Sequence, residues 1–374
     1  MQLSRLGERA VVVGGGIAGL AAAGVLARRF DQVDLLERDH YEAEPSVRPH
    51  APQGAHVHIL LAGGLHALTR LVPALPGWLD AEGLPEGDLT EHVRLAVGGR
   101  WLAKVRSGIP VRSCTRPMLE HLLLRDDGAR GNVRVVTGCE VLRVEDRGDS
   151  SQVHIRVDDE PDRLDAALIV DASGRSSLYG KWLRVEGRSV VEDVVDGGVL
   201  YSPCGFEIPG ALADDWMVLA ATPEVPRQPN SAAIMRLGGN RLLVAMIRYG
   251  RPQPPTSPEE MLECMRALSV PEIHALLSVA RPTSRVHNFS NTANRFRRYA
   301  SVARPIPRVV VIGDPLCSLN PRHGQGMTTA AIGAEQLALA LAEHRGAGDL
   351  TGFARDFQHR LTGALRQPWE MALI

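Results

Sequence analysis

The order of apolar and polar positions predicts a strand, a helix and a second strand near the start of the chain. Residues 10–13 form a short apolar run that ends at three glycines, and residues 17–30 continue with the Ala- and Leu-rich character of a buried helix. A further run, 32–36, has the length of a strand. This order predicts a parallel βαβ unit, with which many nucleotide-binding folds begin.

The rest of the pattern predicts three further groups of elements. The first group comprises a helix over 59–71, a loop over 73–88, paired strands over 133–144 and 153–157, and a buried strand over 166–170. The second group comprises strands over 216–221, 232–237 and 241–247 and helices that begin at Pro258 and Pro271. The third group comprises a buried strand over 308–312, a turn rich in Gly and Pro, and a long helix over 327–343. This return to a buried strand and helix predicts that the first fold is completed after an inserted domain.

Composition limits the classes of partner. The chain has 374 residues, a net charge of −1 and an isoelectric point near 6.9, so it has no long-range field that would attract nucleic acid or anionic lipid, and any charged ligand must be met locally. Five cysteines without CxxC spacing are typical of reduced thiols and indicate no metal site. The polar start, followed by an apolar run that glycines interrupt, resembles neither a signal peptide nor a segment for stable membrane insertion. We therefore expect a cytoplasmic protein.

Three glycines mark the turn between the first strand and helix. Gly14, Gly16 and Gly19 satisfy GxGxxG, and Glu37 follows the second strand, 21 residues after Gly16. The first glycine permits a tight turn, the second lets the backbone approach a pyrophosphate, and the third lets helix pack on strand. The N–H groups of the helix start attract phosphate, and Glu37 can accept hydrogen bonds from a ribose. A glycine-rich turn can also serve packing alone, but the full combination favours dinucleotide binding.

A second segment favours a flavin over a nicotinamide. Gly313 and Asp314 follow the strand over 308–312, and Gly324-Gln325-Gly326 opens the long helix. An Asp at a strand end can bind ribityl hydroxyls, and a glycine-rich helix start can direct N–H groups at the N1/C2 carbonyl side of a flavin, which becomes negative on reduction. An ordinary strand-loop-helix corner would not need both features.

These motifs resemble those of the FAD-dependent monooxygenases related to para-hydroxybenzoate hydroxylase. The resemblance rests on the GxGxxG start, on DASG at 171–174 and on GDPLCSLNPRHGQG at 313–326. It is closest to the natural-product branch that includes polyether epoxidases, through PQGAHVHILLAGGLHAL at 52–68, TRPMLEHLL at 115–123 and NRFRRY at 294–299. The resemblance implies FAD as cofactor, with NAD(P)H as transient reductant or a separate flavin reductase as partner.

The fold that the patterns and the resemblance imply is α/β. We expect a Rossmann-like FAD-binding domain, a parallel sheet with helices, over 1–189 and 305–345. An inserted mixed-sheet substrate domain is expected over 190–304, and a C-terminal helical tail over 346–374.

The site residues are predicted partly from the motifs and partly from the resemblance. The resemblance implies that Arg116 binds FAD near its phosphates or ribityl chain, that Val141 flanks the adenine and that Asp314 holds the ribityl group. The predicted cofactor-binding set is Gly14, Gly16, Gly19, Glu37, Arg38, Arg116, Val141, Asp171, Gly313, Asp314, Gly324, Gln325, Gly326 and Met327. The predicted catalytic set, expected beside the isoalloxazine and substrate, is Arg48, His56, His58, Pro321 and Gly324. Isolated histidines are more often structural, but two at alternate positions after a Pro-Gln-Gly turn favour a shared site.

One departure from the family pattern concerns the source of electrons. Ser173 follows Asp171 and Ala172 at the place where the hydroxylases carry the acidic residue of an Asp-Gly pair that serves FAD and NADPH. The chain has no second GxGxxG either. Reduction by NADPH directly is therefore one of two alternatives, and a partner reductase is the other.

The function that the resemblance implies is monooxygenation. Reduced FAD would react with O2 to give a C4a-hydroperoxyflavin, from which one oxygen passes to an alkene or arene of a natural-product intermediate by epoxidation or hydroxylation. The alternatives are an FAD-containing cyclase or pericyclase with the flavin as scaffold, and a flavin-dependent halogenase. Against the halogenase, the chain has no WxWxIP segment, and its first lysine is Lys104. The hydrophobic substrate is expected against the inserted domain, where the candidate lining residues are Tyr201, Phe206, Trp216, Met217 and Met235.

Overall fold

The described residues form strands and helices, with two runs of five consecutive strands in the middle of the chain. The computed structural model describes residues 4–84, 86–185, 187–210, 216–344 and 349–373. The strands are β1 (Gly7–Val13), β2 (Phe30–Leu36), β3 (Ile59–Leu60), β4 (Glu86–Asp88), β5 (Val93–Val97), β6 (Arg100–Trp101), β7 (Pro110–Ser113), β8 (Val133–Val136), β9 (Cys139–Asp146), β10 (Ser151–Val157), β11 (Glu160–Ala166), β12 (Leu168–Asp171), β13 (Glu192–Val195), β14 (Leu200–Glu207), β15 (Val218–Ala221), β16 (Asn230–Arg236), β17 (Arg241–Arg248), β18 (Arg281–Pro282), β19 (Asn294–Arg297), β20 (Val309–Val311) and β21 (Cys317–Ser318). The helices are α1 (Ile17–Leu26), α2 (Ala62–Leu71), α3 (Leu75–Ala81), α4 (Leu89–His92), α5 (Arg116–Gly128), α6 (Tyr179–Val185), α7 (Pro258–Met265), α8 (Pro271–Ser278), α9 (Gly326–Glu343), α10 (Phe353–Ala364) and α11 (Arg366–Met371).

A parallel sheet forms the centre of the nucleotide-binding part. Its strand order is β20-β12-β1-β2-β8, and every neighbouring pair is parallel. Helix α1 is buried along its whole length because apolar side chains cover all of its faces. The predicted βαβ unit is confirmed, and so is the return of the chain to this sheet at β20.

A mixed sheet of seven strands forms the second layer. Its order is β18-β14-β17-β16-β15-β5-β6, in which β15 pairs with β5 in parallel and the other neighbours are antiparallel. Helices α7 and α8 pack on one face. The predicted α/β fold with a mixed sheet is confirmed, but β5 and β6 come from residues 93–101, which the predicted bounds of 190–304 leave out. Pairing between strands so far apart in the chain leaves no local sequence pattern.

The prediction of a loop over 73–88 is wrong. It contains α3 and β4. Pro76 lies in the first turn of α3, where backbone N–H groups make no hydrogen bond within the helix. The missing N–H of proline therefore costs nothing there, and a segment rich in Pro and Gly can still be helical. The paired strands predicted over 133–144 are also divided, since β8 belongs to the parallel sheet while β9 pairs with β10.

The described part of the C-terminal segment packs onto the nucleotide-binding core. In α10, the Gln358 side-chain amide donates to the carbonyl of Val311 and accepts from its N–H, at 3.2 and 2.6 Å. Phe357 and Leu361 are buried on the same helix. Within the described ranges, no helix is both long and apolar enough to cross a membrane.

Candidate functional site

The glycine turn after β1 is shaped by backbone contacts. Gly14 has a φ of +99°, and a Cβ on it would lie 2.6 Å from the carbonyl oxygen of Ala172. Glycine is therefore required for this approach. The N-cap of α1, Gly16, makes no side-chain capping bond, and the first turn holds no acidic residue. The N–H groups of the helix start are thus available to an anion.

The turn borders a cavity of about 540 Å³, which we call the first cavity. Glycines, ionisable groups and apolar side chains surround it. Its lining includes Gly14, Gly16, Leu36, Glu37, Arg38, Asp39, Arg48, Gln53, Arg116, Cys139, Val141, Ala172, Ser173, Lys181 and Trp182. This lining brings together six predicted cofactor-binding residues from distant segments: Gly14, Gly16, Glu37, Arg38, Arg116 and Val141.

Glu37 accepts several hydrogen bonds at the edge of the first cavity. Its carboxylate accepts from the N–H of Gly15 at 2.6 Å and from the N–H of Asp39 at 3.0 Å. Arg48 Nη1 lies 3.0 Å from Glu37 Oε2. The carboxylate is thus held in a fixed position beside the cavity, as an acceptor for ribose hydroxyls requires.

Arg48 lies beside Glu37, at some distance from the predicted catalytic histidines. Its guanidinium lies 2.9 Å from Glu120 and 3.7 Å from Asp39, and it donates to the carbonyl of Gly15 at 3.2 Å. Burial opposes its charge, but Glu120 and Glu37 outweigh this effect and raise the pKa of Arg48. Arg48 lines the first cavity and is absent from the described lining of the second cavity, defined below. The 39–51 loop turns the Arg48 side chain towards the glycine turn, and its predicted place beside the substrate stays a prediction.

Arg116 lies where the first cavity meets a second. It is the first residue of α5, its Nε donates to Glu120 Oε1 at 2.7 Å, and its Nη2 would lie 2.8 Å from a Cβ on Gly16. Burial raises the pKa of Glu120, but Arg116 and Arg48 lower it by more, so this carboxylate stays charged and holds Arg116 in place. Arg116 is thus a cation beside the second glycine of the motif, where phosphate would lie.

The second cavity has a volume of about 280 Å³ and shares Gly16, Gln53, Arg116, Ala172 and Gly174 with the first. Most of its remaining lining is apolar or aromatic. The lining includes Ile17, Ala18, Pro52, His56, Val57, His58, Ile59, Arg175, Phe289, Asn291, Thr292, Asp314, Leu319, Pro321, Gly324, Gly326, Met327 and Ala330. The two cavities adjoin at the glycine turn and Arg116.

The N-terminus of α9 is directed at the second cavity. Gly326 and Met327, the first two residues of this 18-residue helix, line the cavity, and Gln325 makes no side-chain capping bond. Gly324 has a left-handed φ of +63°, so the chain enters the helix through a turn that suits glycine. The helix start therefore offers N–H groups and a partial positive charge to a ligand in this cavity.

His56 and His58 form part of the opposite wall. The ring of His56 lies 4.5 Å from Tyr201 and 4.3 Å from Phe289, centre to centre, and 6.0 Å from His58. Burial lowers the pKa of His56 and lowers that of His58 to about 4, so both rings are neutral at pH 7. His56 Nε2 and His58 Nδ1 are buried and have no hydrogen-bond partner among the residues that the structure describes. The wall is thus uncharged but holds two ring nitrogens that a ligand can engage.

Asp171, a predicted cofactor-binding residue, makes its hydrogen bonds within the turn after β12. Its carboxylate accepts from the N–H of Ser173 at 3.0 Å and from the hydroxyls of Ser173 and Ser177. Burial raises its pKa. Asp171 is absent from the described lining of both cavities. It holds the turn after β12, while Ser173 itself lines the first cavity.

The remaining predicted residues divide between lining and support. Arg38 and Val141 line the first cavity, and Asp314 and Pro321 line the second. Three others, Gly19, Gly313 and Gln325, are absent from the described linings of both cavities and lie in the adjoining turns. A Cβ on Gly19 would clash with the carbonyl of Gly14, and Gly313 packs on Ala18.

Of the candidate lining residues on the mixed sheet, Tyr201 contacts His56, whereas Phe206 and Trp216 lie in the core beneath α7 and α8. Tyr201 and Phe206 are five positions apart on β14, and strand alternation places them on opposite faces. Sequence reasoning missed Phe289 and Tyr41, whose hydroxyl donates to the carbonyl of Gly15 at 2.7 Å. Single aromatic residues in loops carry no periodic signal that would reveal such contacts.

Comparison with known proteins decides the family. A family described as FAD binding domain matches residues 8–353. The chain belongs to this FAD-binding family. It is therefore a flavoprotein, and its fold and paired cavities fit FAD as the cofactor.

Several relatives of this FAD-binding protein are known. Protein Rv3254 of Mycobacterium tuberculosis is 29% identical over 358 residues, which cover 92% of this chain and 75% of the relative. Among solved structures, PqsL, a probable FAD-dependent monooxygenase from Pseudomonas aeruginosa, has a TM-score of 0.71 at 18% identity, covering 98% and 94% of the two chains. The flavin-dependent brominase Bmp2 has a TM-score of 0.73 at 14% identity, covering 97% and 87%. At these identities the structures show the fold alone.

Proposed function

We propose that this flavoprotein is a monooxygenase that inserts one oxygen atom from O2 into an electron-rich alkene or arene of a hydrophobic small molecule. The supporting observation is the second cavity, in which the uncapped start of α9 faces a wall of neutral aromatic rings. The helix start suits the charged edge of a reduced flavin, and the wall suits an uncharged substrate.

FAD would lie across both cavities. The adenosine would occupy the first cavity, with Glu37 as ribose acceptor and Val141 beside the base, and Arg116 and the start of α1 would hold the pyrophosphate. Asp314 would hold the ribityl chain, and the ring would lie against Gly324 to Met327. These assignments follow the lining of the cavities and the positions of the two helix starts.

Bound FAD, once reduced, would supply the electrons that activate O2, and one oxygen atom of O2 would pass to the substrate while the other leaves as water. The chain itself supplies the environment for that chemistry. The N–H groups at the start of α9 stabilise negative charge in the ring without reorganisation. The packed rings of Tyr201, His56 and Phe289 exclude water, so that oxygen is not lost as hydrogen peroxide. The neutral ring nitrogens of His56 and His58 orient a substrate by hydrogen bonds and place no charge beside it.

Halogenation has less support, although fold relatives include a brominase. The family pattern for halogenases includes an active-site lysine. This chain has two lysines, of which Lys181 lines the first cavity and Lys104 lies in an exposed segment. The described lining of the second cavity contains none.

The test is anaerobic reduction of the FAD-loaded protein by NADPH or NADH, followed by addition of O2. A monooxygenase is expected to reoxidise and, with an accepted substrate, to release less hydrogen peroxide than the amount of reductant consumed. His56→Ala would open the aromatic wall and raise the peroxide fraction, whereas His66→Ala, at an exposed position of α2, is the matched control. A flavin reduced only by an added reductase would point to a two-component enzyme. Product formation without consumption of reductant or O2 would contradict the proposal and favour a cyclase.

A further inference from the structure

The segment over residues 93–110 displays apolar side chains to solvent. It comprises the β5–β6 hairpin and the irregular stretch that follows, in which all eight residues from 102 to 109 are exposed. Val97, Leu102, Val105 and Ile109 are exposed by 47, 52, 61 and 42%. Such a concentration of large apolar side chains on one short surface segment favours a binding surface.

The same segment is strongly basic. Its ionisable residues are Arg94, Arg100, Lys104 and Arg106, and none is acidic. Since the whole chain carries −1 and this segment carries +4, the remainder carries −5. The net charge of the chain is therefore close to zero although this segment is locally positive.

The segment is fastened to the fold. The Asp88 carboxylate, which precedes it, turns towards it and accepts from the N–H of Ser107 at 3.0 Å and from that of Gly108 at 2.6 Å. The N–H of Leu89 donates to the carbonyl of Ile109 at 2.9 Å, and the N–H of Leu102 donates to Leu95 at the same distance. The backbone is thus held while the apolar and basic side chains point outward, which an unused loop would not require.

From this combination we propose that residues 93–110 bind the surface of an anionic lipid bilayer. Exposed apolar side chains would enter the boundary between headgroups and acyl chains, and Arg100, Lys104 and Arg106 would contact lipid phosphates. Charge complementarity selects this occupant, because the segment carries four cations and no acidic residue, and a second copy bound face to face would bring four further cations to the same surface. The proposal does not depend on the reaction that the flavin site performs.

The test is co-sedimentation of the FAD-loaded protein with vesicles. We expect binding to vesicles of phosphatidylglycerol and phosphatidylcholine, weaker binding as ionic strength rises, and little binding to phosphatidylcholine alone. Arg100→Gln with Arg106→Gln is expected to weaken binding roughly thirtyfold, from about 1 kcal/mol per cation. Leu102→Ser with Val105→Ser is expected to weaken it about tenfold or more.

A matched control carries Arg163→Gln with Val191→Ser, both at exposed positions outside the segment. It is expected to bind as the unaltered protein does. The proposal is overturned if the unaltered protein fails to sediment with anionic vesicles at low salt, or if the control loses as much binding as the segment variants. Light scattering can also contradict the proposal. If the unaltered protein is a dimer and the variant Leu102→Ser with Val105→Ser is a monomer, the surface binds a second copy of the chain.

Discussion

Arg48 shows how one buried charge organises the nucleotide end of the site. It is 6% exposed and contacts Glu37, Asp39 and Glu120, which are also buried. If Arg48 were removed, Glu37 would lose its ion pair, while Glu120 would keep only its contact with Arg116. A buried charge left without its partner is costly, so the removal of Arg48 is expected to lower stability.

Arg48→Met is therefore expected to lower the free energy of unfolding by about 3–5 kcal/mol, as measured in urea. Arg38→Met is the matched control, because Arg38 is an exposed neighbour in the same cavity. Its effect is expected to stay within about 0.5 kcal/mol. Equal losses in the two variants would show that the buried ion pairs do not stabilise the site.

The histidines of the second cavity predict a pH dependence of stability. Burial lowers the pKa of His58 from its ordinary 6.5 to about 4. Between these values the unfolded chain binds a proton that the folded chain does not, so this contribution to stability is complete above pH 6.5 and falls as the pH falls towards 4. His58→Gln is expected to reduce the slope of unfolding free energy against pH in this window by up to about 1.4 kcal/mol per unit. Exposed His66→Gln is the control, and equal slopes in the His58 variant and the unaltered protein would contradict the burial of His58.

At the scale of single residues, the sequence predicts motif positions better than side-chain destinations. Gly14, Gly16 and Glu37 have roles that depend on spacing within one βαβ unit, and they lie together as predicted. The orientations of Arg48 and Asp171 are harder to predict, because loop backbone and local hydrogen bonds determine where those side chains point.

At the scale of elements, the glycine turn between β1 and α1 provides the sharpest test. Gly14→Ala is expected to weaken FAD binding at least tenfold, because the positive φ and the Ala172 carbonyl both oppose a Cβ. Gly77→Ala is the matched control: Gly77 lies in α3 with open space around its Cβ position, and alanine favours a helix. Fluorescence titration with FAD measures both. Unchanged affinity in Gly14→Ala would mean that the turn does not approach the cofactor.

The contact between α1 and α5 predicts a second pH effect. Asp127 on α5 lies against Gly24 of α1, and burial raises its pKa to about 8. The folded chain therefore keeps a proton that the unfolded chain loses near pH 3.8, so this residue makes the protein less stable as pH rises from 4 to 8. Asp127→Asn is expected to raise the unfolding free energy at pH 8 by about 2 kcal/mol and to change it little at pH 4. A variant that is less stable at pH 8 would show that the carboxylate is ionised and paired with Arg130.

Elements were predictable where the pattern is local. The strands β1, β12 and β20 each contain a continuous apolar run, the helix α9 is rich in Ala and Leu, and all four are present. Helix α3 was hidden by its Pro and Gly content, and the partner of β5 is separated from it by more than a hundred residues. Neither residue propensities nor the periodicity of apolar positions could predict helix α3 or the pairing of β5 with β15.

At the scale of the whole molecule, the fold joins three distant segments into one elongated site. The glycine turn, the start of α5 and the start of α9 meet around the adjoining cavities. A ligand that spans both should stabilise the protein more than one that fills either, since each cavity adds contacts made only by the folded state.

The most direct test of this account is a fluorescence and calorimetric titration of flavin-free protein with FAD, FMN and ADP. We expect one FAD per chain, bound at least a hundredfold more tightly than FMN or ADP, and a rise in unfolding free energy of about 2.7 kcal/mol at a hundredfold excess over Kd. FMN binding as tightly as FAD would contradict a cofactor that spans both cavities. Failure of FAD to bind would contradict the account as a whole.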